Sequence, residues 1–321
     1  MGIAKDVVEF VAEQDLATPS AAESNLRTAA LAGLYAAVLA GATAAHSVVV
    51  WAFAWVAMGA IMLGCYAAMH EAIHAHLYRS KRANRVAGLL WGAAVLANFS
   101  VYRAYHLQHH SHTRIEGDTE PHEAFRGGGQ YLFYTPLIGL LFWFQLAGAS
   151  LASLTGRSPW YARTERQRSA IRTDALVVHG LTLALVAAAF KWPTVVARSW
   201  GIPFLVSTVV VSLVTLPEHY GCDQVPDSFR STRTTLSNPV VRFLFWNNNF
   251  HAAHHIYPAV PYNKVGRLHD YTVGRTSFVG RSYTAFHVDL FRSLRRDFST
   301  APAAVEKMEG SDGVRAPAAG R

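Results

Sequence analysis

Charge and cysteine are both scarce in this chain of 321 residues. Asp, Glu, Lys and Arg make up 16% of it, and 51% is hydrophobic; typical globular domains carry about 25% charge. The apolar residues are gathered into long runs, which a bilayer requires and an ordinary soluble domain does not. Only Cys65 and Cys222 are present, far apart and with no C-x-x-C pair. This excludes a disulfide framework and fits a reducing, cytosolic side. Cys222 follows His219 by three residues, so a thiolate ligand stays open beside the simpler reading of a small loop residue. A signal peptide is not expected, because Lys5, Asp6, Glu9, Glu13 and Asp15 interrupt any apolar core. Asp6 also stands where an N-myristoylation signal needs Ser or Thr.

What charge there is leans positive, at a net +8 with a pI near 9.6. The basic residues sit in short segments between apolar runs, as in the loops of a membrane protein, so no nucleic-acid partner is expected. Residues 1–27 read as an N-terminal cytosolic segment with an amphipathic helix over 4–16, broken at Thr18-Pro19-Ser20. Residues 28–298 read as one membrane domain. Residues 299–321, rich in Ala, Pro, Gly and charge, read as a disordered tail.

Thr28 to Met69 is long enough for two crossings with a turn near Ala45-His46-Ser47. The basic cluster Tyr78-Arg79-Ser80-Lys81-Arg82 follows and places that end on the cytoplasmic side. Residues 87–101 are too short for a crossing and predict a half-inserted or interfacial hairpin. Residues 131–154, 174–190 and 201–217 are further apolar runs. If 131–154 spans fully, Arg157, Arg163, Arg166, Arg168 and Arg172 fall outside. If it is re-entrant or interfacial, they fall inside, and this second arrangement is preferred. The fold expected is an all-α integral membrane protein with about four transmembrane helices, re-entrant or interfacial helices, and a cytosolic helical cap.

Histidine is abundant where charge is not. Seven of the 16 histidines fall between Met69 and Thr113. His70 and His74 stand at i and i+4, and His106, His109 and His110 at i, i+3 and i+4. His251, His254 and His255 repeat that second spacing. On helices each set shares a face, and imidazole is the commonest metal ligand. With His219, at the inner end of the last apolar run, they make nine nitrogen donors, too many for one ion and enough for two. Such sites suit iron, zinc, copper or nickel. Glu71, Asp118 and Asn249 are candidates to hold ring N–H groups in the correct tautomer. His76 and His112 lie off the box spacing. His46, His122, His179, His269 and His287 read as interfacial or core residues. His70-Glu71-Ala72-Ile73-His74 also matches the zinc-protease signature H-E-x-x-H, with Glu71 as base, but a membrane protease leaves the two later boxes unexplained.

His70-x-x-x-His74, His106-x-x-His109-His110 and His251-x-x-His254-His255, in this order, resemble the integral-membrane fatty acid desaturase family, which also includes hydroxylases. The resemblance extends from about Leu31 to Asn263. It implies a non-haem centre of two irons, O₂ as co-substrate, and a double bond introduced into a fatty acyl chain. Glu218-His219-Tyr220-Gly221 is similar to an element of membrane alkane hydroxylases, which keeps hydroxylation of an alkyl or acyl chain open, as is desaturation of a smaller metabolite. With neither an H-P-G-G nor a C-x-x-C motif, the electron donor is expected to be a separate ferredoxin-like protein with its reductase. Arg79, Lys81, Arg82, Arg163 and Arg166 would attract either such an acidic donor or an anionic lipid surface.

Overall fold

The computed structural model describes residues 4–120 and 124–296; His122 and the tail 299–321 lie outside the described residues. The short amphipathic helix is α1 (Lys5–Glu13), which buries Val7 and Val11. A serine N-cap, Ser20, opens α2 (Ala21–Ala45) by accepting from the Glu23 amide. His46 ends that helix in a left-handed conformation. Ser47 then caps α3 (Val48–Ile73), so the sharp turn expected at Ala45-His46-Ser47 is built from two caps.

The chain bends sharply within 87–101. Helices α4 (Lys81–Ala94) and α5 (Phe99–His112) meet at 106° across a short break. The α4 end is capped by two indoles: the N–H groups of Trp200 and Trp143 donate to the Ala94 and Val95 carbonyls at 2.9 Å each. Those carbonyls would otherwise be orphaned by the end of the helix.

Three long apolar helices follow: α6 (Gly128–Ser153), α7 (Glu165–Lys191) and α8 (Pro193–His219). With α2 and α3, five helices are long and apolar enough to cross a bilayer, one more than the sequence count of about four. Their outer faces carry exposed Phe53, Leu183 and Phe190, the last 87% accessible, as a lipid-facing surface demands. The additional helix is α6, the run read from sequence as re-entrant or interfacial. Near its start, Tyr131 reaches Leu213 through His287. After its end, Tyr161 packs edge-on to Tyr105, the neighbour of His106. Both flanks of α6 therefore approach the histidine end of the bundle. In between, α6 lies against α8 so closely that a Cβ on Gly139 would sit 2.2 Å from the Thr208 carbonyl.

The cap after α8 is built of short elements: α9 (Ser228–Ser231), β1 (Arg233–Thr235), α10 (Pro239–Leu244), α11 (His251–Ile256), α12 (Val265–Thr272), β2 (Phe278–Gly280) and α13 (Tyr283–Arg296). β1 and β2 pair in parallel with Thr234 opposite Val279. The N-terminal α1 closes this cap, Val7, Val11 and Leu16 sharing a core with Phe250, Ala253 and Leu268. The chain is thus an all-α integral membrane protein with one small ribbon.

Candidate metal centre

Each histidine box is delivered by a helix end. His70 lies in the last turn of α3, and His74 is its C-cap, followed by Ala75 at φ 62°. The left-handed residue ends the helix; the His70 and His74 rings, at i and i+4, have centroids 5.1 Å apart. His106, His109 and His110 lie on α5, and His219 is the last residue of α8. Trp246 and Asn247, both at positive φ, lead through a turn into α11, which begins at His251 and carries His254 and His255.

These nine side chains form two groups. His70, His74, His106, His110 and His254 make one, and His109, His219, His251 and His255 the other; within each, one ligand atom per residue lies within 4.8 Å of all the rest. Helix geometry explains the division. At about 100° per residue, positions i and i+4 point about 40° apart, whereas i+3 diverges from i+4 by about 100°. The His106/His110 pair therefore faces one centre and His109 the other. In the third box the roles reverse: the His251/His255 pair serves the four-histidine group and His254 the five-histidine group. The three histidines of a box do not converge on one point, as a shared face had suggested.

The nitrogen geometry fits a cation. His106 Nε2 lies 2.9 Å from both His74 Nε2 and His110 Nε2, and His110 Nε2 lies 3.0 Å from His254 Nε2. In the second group His219 Nε2 is 3.1 Å from His109 Nε2 and 2.9 Å from His251 Nε2. Two nitrogens bound at right angles to one ion, each about 2.1 Å from it, stand about 3.0 Å apart. The Nδ1 atoms face outward instead. His109 Nδ1–H donates to Asp118 Oδ1 at 2.8 Å, and His219 Nδ1–H to the Ser231 carbonyl at 3.0 Å. Those bonds leave bare lone pairs on both Nε2 atoms. His255 Nδ1 meets Thr113 Oγ1 at 3.2 Å, while its buried Nε2 has no protein partner.

The environment keeps four of the rings neutral and so able to ligate. Burial, then the neighbouring imidazoles, hold His74, His251, His254 and His255 well below the usual histidine range. Asp118 behaves in the opposite sense. Burial resists its ionisation, but the His109 hydrogen bond and charge, with the Glu120 and Arg114 amides, overcome it and hold the carboxyl below the usual range. His74 and His110 are the partly exposed members, both in the five-histidine group; all four members of the other are buried.

Glu71 is fully engaged. Its oxygens take the Nδ1 groups of His70 at 3.1 Å and His76 at 2.9 Å, and the Tyr262 amide at 3.2 Å. It is 2% exposed. This speaks against the zinc-protease reading, in which Glu71 acts as a base on water, because both its oxygens already hold ring or amide N–H groups. Asn249, by contrast, donates to the Thr235 carbonyl and so ties β1 to the turn before the third box. His76 joins Glu71 to the Pro258 carbonyl, His112 meets Gln108 and Ser111, and Cys222 is buried; none of the three is in either group. His46 is a turn residue, His269 stacks on Phe250 and His287 bridges Tyr131 and Leu213. His179 stands on α7, likewise outside both groups.

Some residues escaped the sequence reading. Glu218 Oε1 lies 3.4 Å from His251 Nδ1, and Glu120 Oε2 lies 3.9 Å from His109 Nε2. The direct neighbour of His219 was the available signal for Glu218. Tyr66 and Tyr102, each one helical turn before a box histidine, share a hydroxyl hydrogen bond at 2.8 Å. Beside Tyr66 an apolar cavity opens between α3, the α4–α5 hairpin, α6 and α8.

Among known proteins, similar chains include an "sn-2 acyl-lipid omega-3 desaturase (ferredoxin), chloroplastic" of Helianthus annuus. It is 24% identical over 295 residues, covering 80% of this chain and 65% of that one. An "Acyl-lipid omega-3 desaturase (cytochrome b5), endoplasmic reticulum" of Arabidopsis thaliana is 22% identical, covering 77% and 69%. A "Dihydrorhizobitoxine desaturase" of Bradyrhizobium elkanii is 26% identical, covering 70% and 69%. The chain spans between 56% and 65% of the length of three plant omega-3 relatives that it matches. The sequence model named "Fatty acid desaturase" matches residues 23–287, a stretch that holds all nine clustered histidines, and the chain belongs to that family.

Proposed function

We propose that this protein is an O₂-dependent membrane desaturase that introduces a double bond into a fatty acyl chain. The observation that carries the reading is the pairing of two convergent histidine groups with an apolar cavity that begins one turn below them, at Tyr66 and Met69. His70, His74, His106, His110 and His254 would hold one iron, and His109, His219, His251 and His255 a second. Two redox-active irons supply the oxidising power that an unactivated C–H bond demands, which zinc does not. The protein's own part is placement. Glu71 and Asp118 fix the rings of His70 and His109 through their Nδ1 protons. The cavity, lined by no charged residue, excludes water and holds an alkyl segment in one orientation.

Electrons come from a separate donor in this reading; the plant relatives are named for ferredoxin or cytochrome b5. The histidine end faces the cytoplasm, supported by Arg79, Lys81 and Arg82 beside the first box. The approach of both α6 flanks to that end supports four spanning helices. A reporter fused near Arg166 that reads as extracytoplasmic would refute this arrangement.

The test is iron analysis together with mass spectrometry of host lipids with and without the gene expressed. About two irons per chain and a product two mass units lighter are expected. A product sixteen units heavier would instead establish the hydroxylase reading, which the Glu218-His219-Tyr220-Gly221 element favours. Oxidation of a small metabolite with lipids unchanged would support the alternative raised by the Bradyrhizobium elkanii relative.

A further inference from the structure

Pro217 stands inside α8, two residues before His219. Proline has no amide hydrogen, so the Leu213 carbonyl, four residues back, loses its helical partner, and the proline ring crowds it outward. A helix bends readily at such a gap, and this gap lies in the turn that carries His219. His287 on α13 fills it: its Nε2 lies 2.7 Å from the Leu213 carbonyl oxygen. A carbonyl only accepts, so Nε2 carries the ring proton and Nδ1 is bare. The Tyr131 hydroxyl, near the start of α6, donates to that Nδ1 at 2.6 Å. One imidazole thus ties α6, α13 and α8 together at the break in the α8 ladder. Past the break, Arg233 at the start of β1 donates to the Pro217 carbonyl at 2.5 Å and the Tyr220 carbonyl at 2.8 Å. Its guanidinium lies over the rings of Phe278 and of Phe286, the neighbour of His287.

We infer that His287 is a positioning residue for the four-histidine group: by donating to the carbonyl that Pro217 leaves unpaired, it fixes the last turn of α8 and with it the direction of His219. The inference rests on the metal reading above. His287 belongs to neither histidine group and acts only through the helix. Packing does not itself call for a histidine here, since Phe286, Leu290 and Leu294 already give α13 its apolar contact with Tyr131. What the site needs is an N–H donor aimed at α8 and an acceptor for Tyr131, and a neutral imidazole supplies both. The need exists because residue 217 is proline. Pro217→Ala returns an amide N–H to the Leu213 carbonyl and makes the His287 bond dispensable.

The experiment uses the full-length protein loaded with iron-57 and titrated with a chelator. Mössbauer spectroscopy tells the two sites apart, with His251→Ala protein as the reference for a damaged four-histidine group. His287→Leu is expected to release the four-histidine iron at about tenfold lower chelator concentration, with the five-histidine iron unmoved. His287→Gln, whose side-chain amide keeps a donor for the same carbonyl, holds both irons. Pro217→Ala placed in the His287→Leu protein restores the retention of the wild type. Unchanged retention in His287→Leu, equal loss of both irons, a His287→Gln protein no better than His287→Leu, or a loss that Pro217→Ala does not suppress overturns the inference and leaves the metal reading standing. If His287→Leu fails to fold, the double variant decides: folded protein holding both irons supports the inference, and failure to fold overturns it. A wild type that binds no iron overturns the metal reading, and the inference with it.

Discussion

His109 and His219 meet Nε2 to Nε2 at 3.1 Å, although each has already committed its Nδ1 proton to an oxygen, of Asp118 and of the Ser231 carbonyl. Two lone pairs at that distance repel unless a proton or a metal ion lies between them. The fold therefore brings together α5 and the end of α8 in an arrangement that metal binding stabilises.

The two groups are separable by mutation. His254→Ala removes a ligand from the five-histidine group and His251→Ala from the four-histidine group. Each variant is expected to fall from about two irons per chain to about one, to lose turnover, and to remain in the membrane fraction. Full activity in either variant would refute its ligand assignment.

Asp118→Asn preserves the side-chain shape but removes the charge that orients His109. Metal affinity or activity should fall about 10–100-fold, as measured by iron retention against a graded chelator. An unchanged retention curve would show that the 2.8 Å contact is structural only.

Gly139→Ala places a methyl group against the Thr208 carbonyl, a backbone atom that cannot move aside without shifting α8. A loss of about 1–3 kcal/mol is expected from such overpacking, seen as a lower thermal midpoint in detergent. A midpoint equal to that of the wild type would mean that α6 and α8 are less closely apposed.

Acidification should destabilise the metal-free protein. His74, His251, His254 and His255 have folded-state values below the unfolded value, so the unfolded chain binds more protons. Stability is full above about pH 6.5 and is lost as pH falls below it toward the folded-state values. The thermal midpoint of chelator-stripped protein should drop between about pH 7.5 and pH 5.5. A flat or opposite profile would contradict the burial of uncharged rings.

Much of this was legible in residue order, and the reasons are local. The box histidines stand at helical spacings beside apolar runs, and His46-Ser47 sits where one apolar run must become two. The division of the boxes was hidden, because spacing shows that His106, His109 and His110 are neighbours but not that α5 runs between two centres. The tie from Asn249 to β1 was hidden for a similar reason: its nearness in sequence to His251 said nothing of the Thr235 carbonyl that takes its amide N–H. The count of crossings stayed at about four because parity was applied to runs of residues. The α6 segment is long enough to span, yet both its flanks return toward the histidines through contacts with Leu213 and Tyr105 that are distant in sequence.

The most direct test is the metal stoichiometry of the purified full-length chain, by mass spectrometry of the metals with Mössbauer spectroscopy of iron-57-enriched protein. About two irons per chain, in two non-equivalent nitrogen-rich sites, is the result expected from a five-histidine and a four-histidine group. A single zinc per chain with no iron, in protein that is nonetheless active, would contradict it.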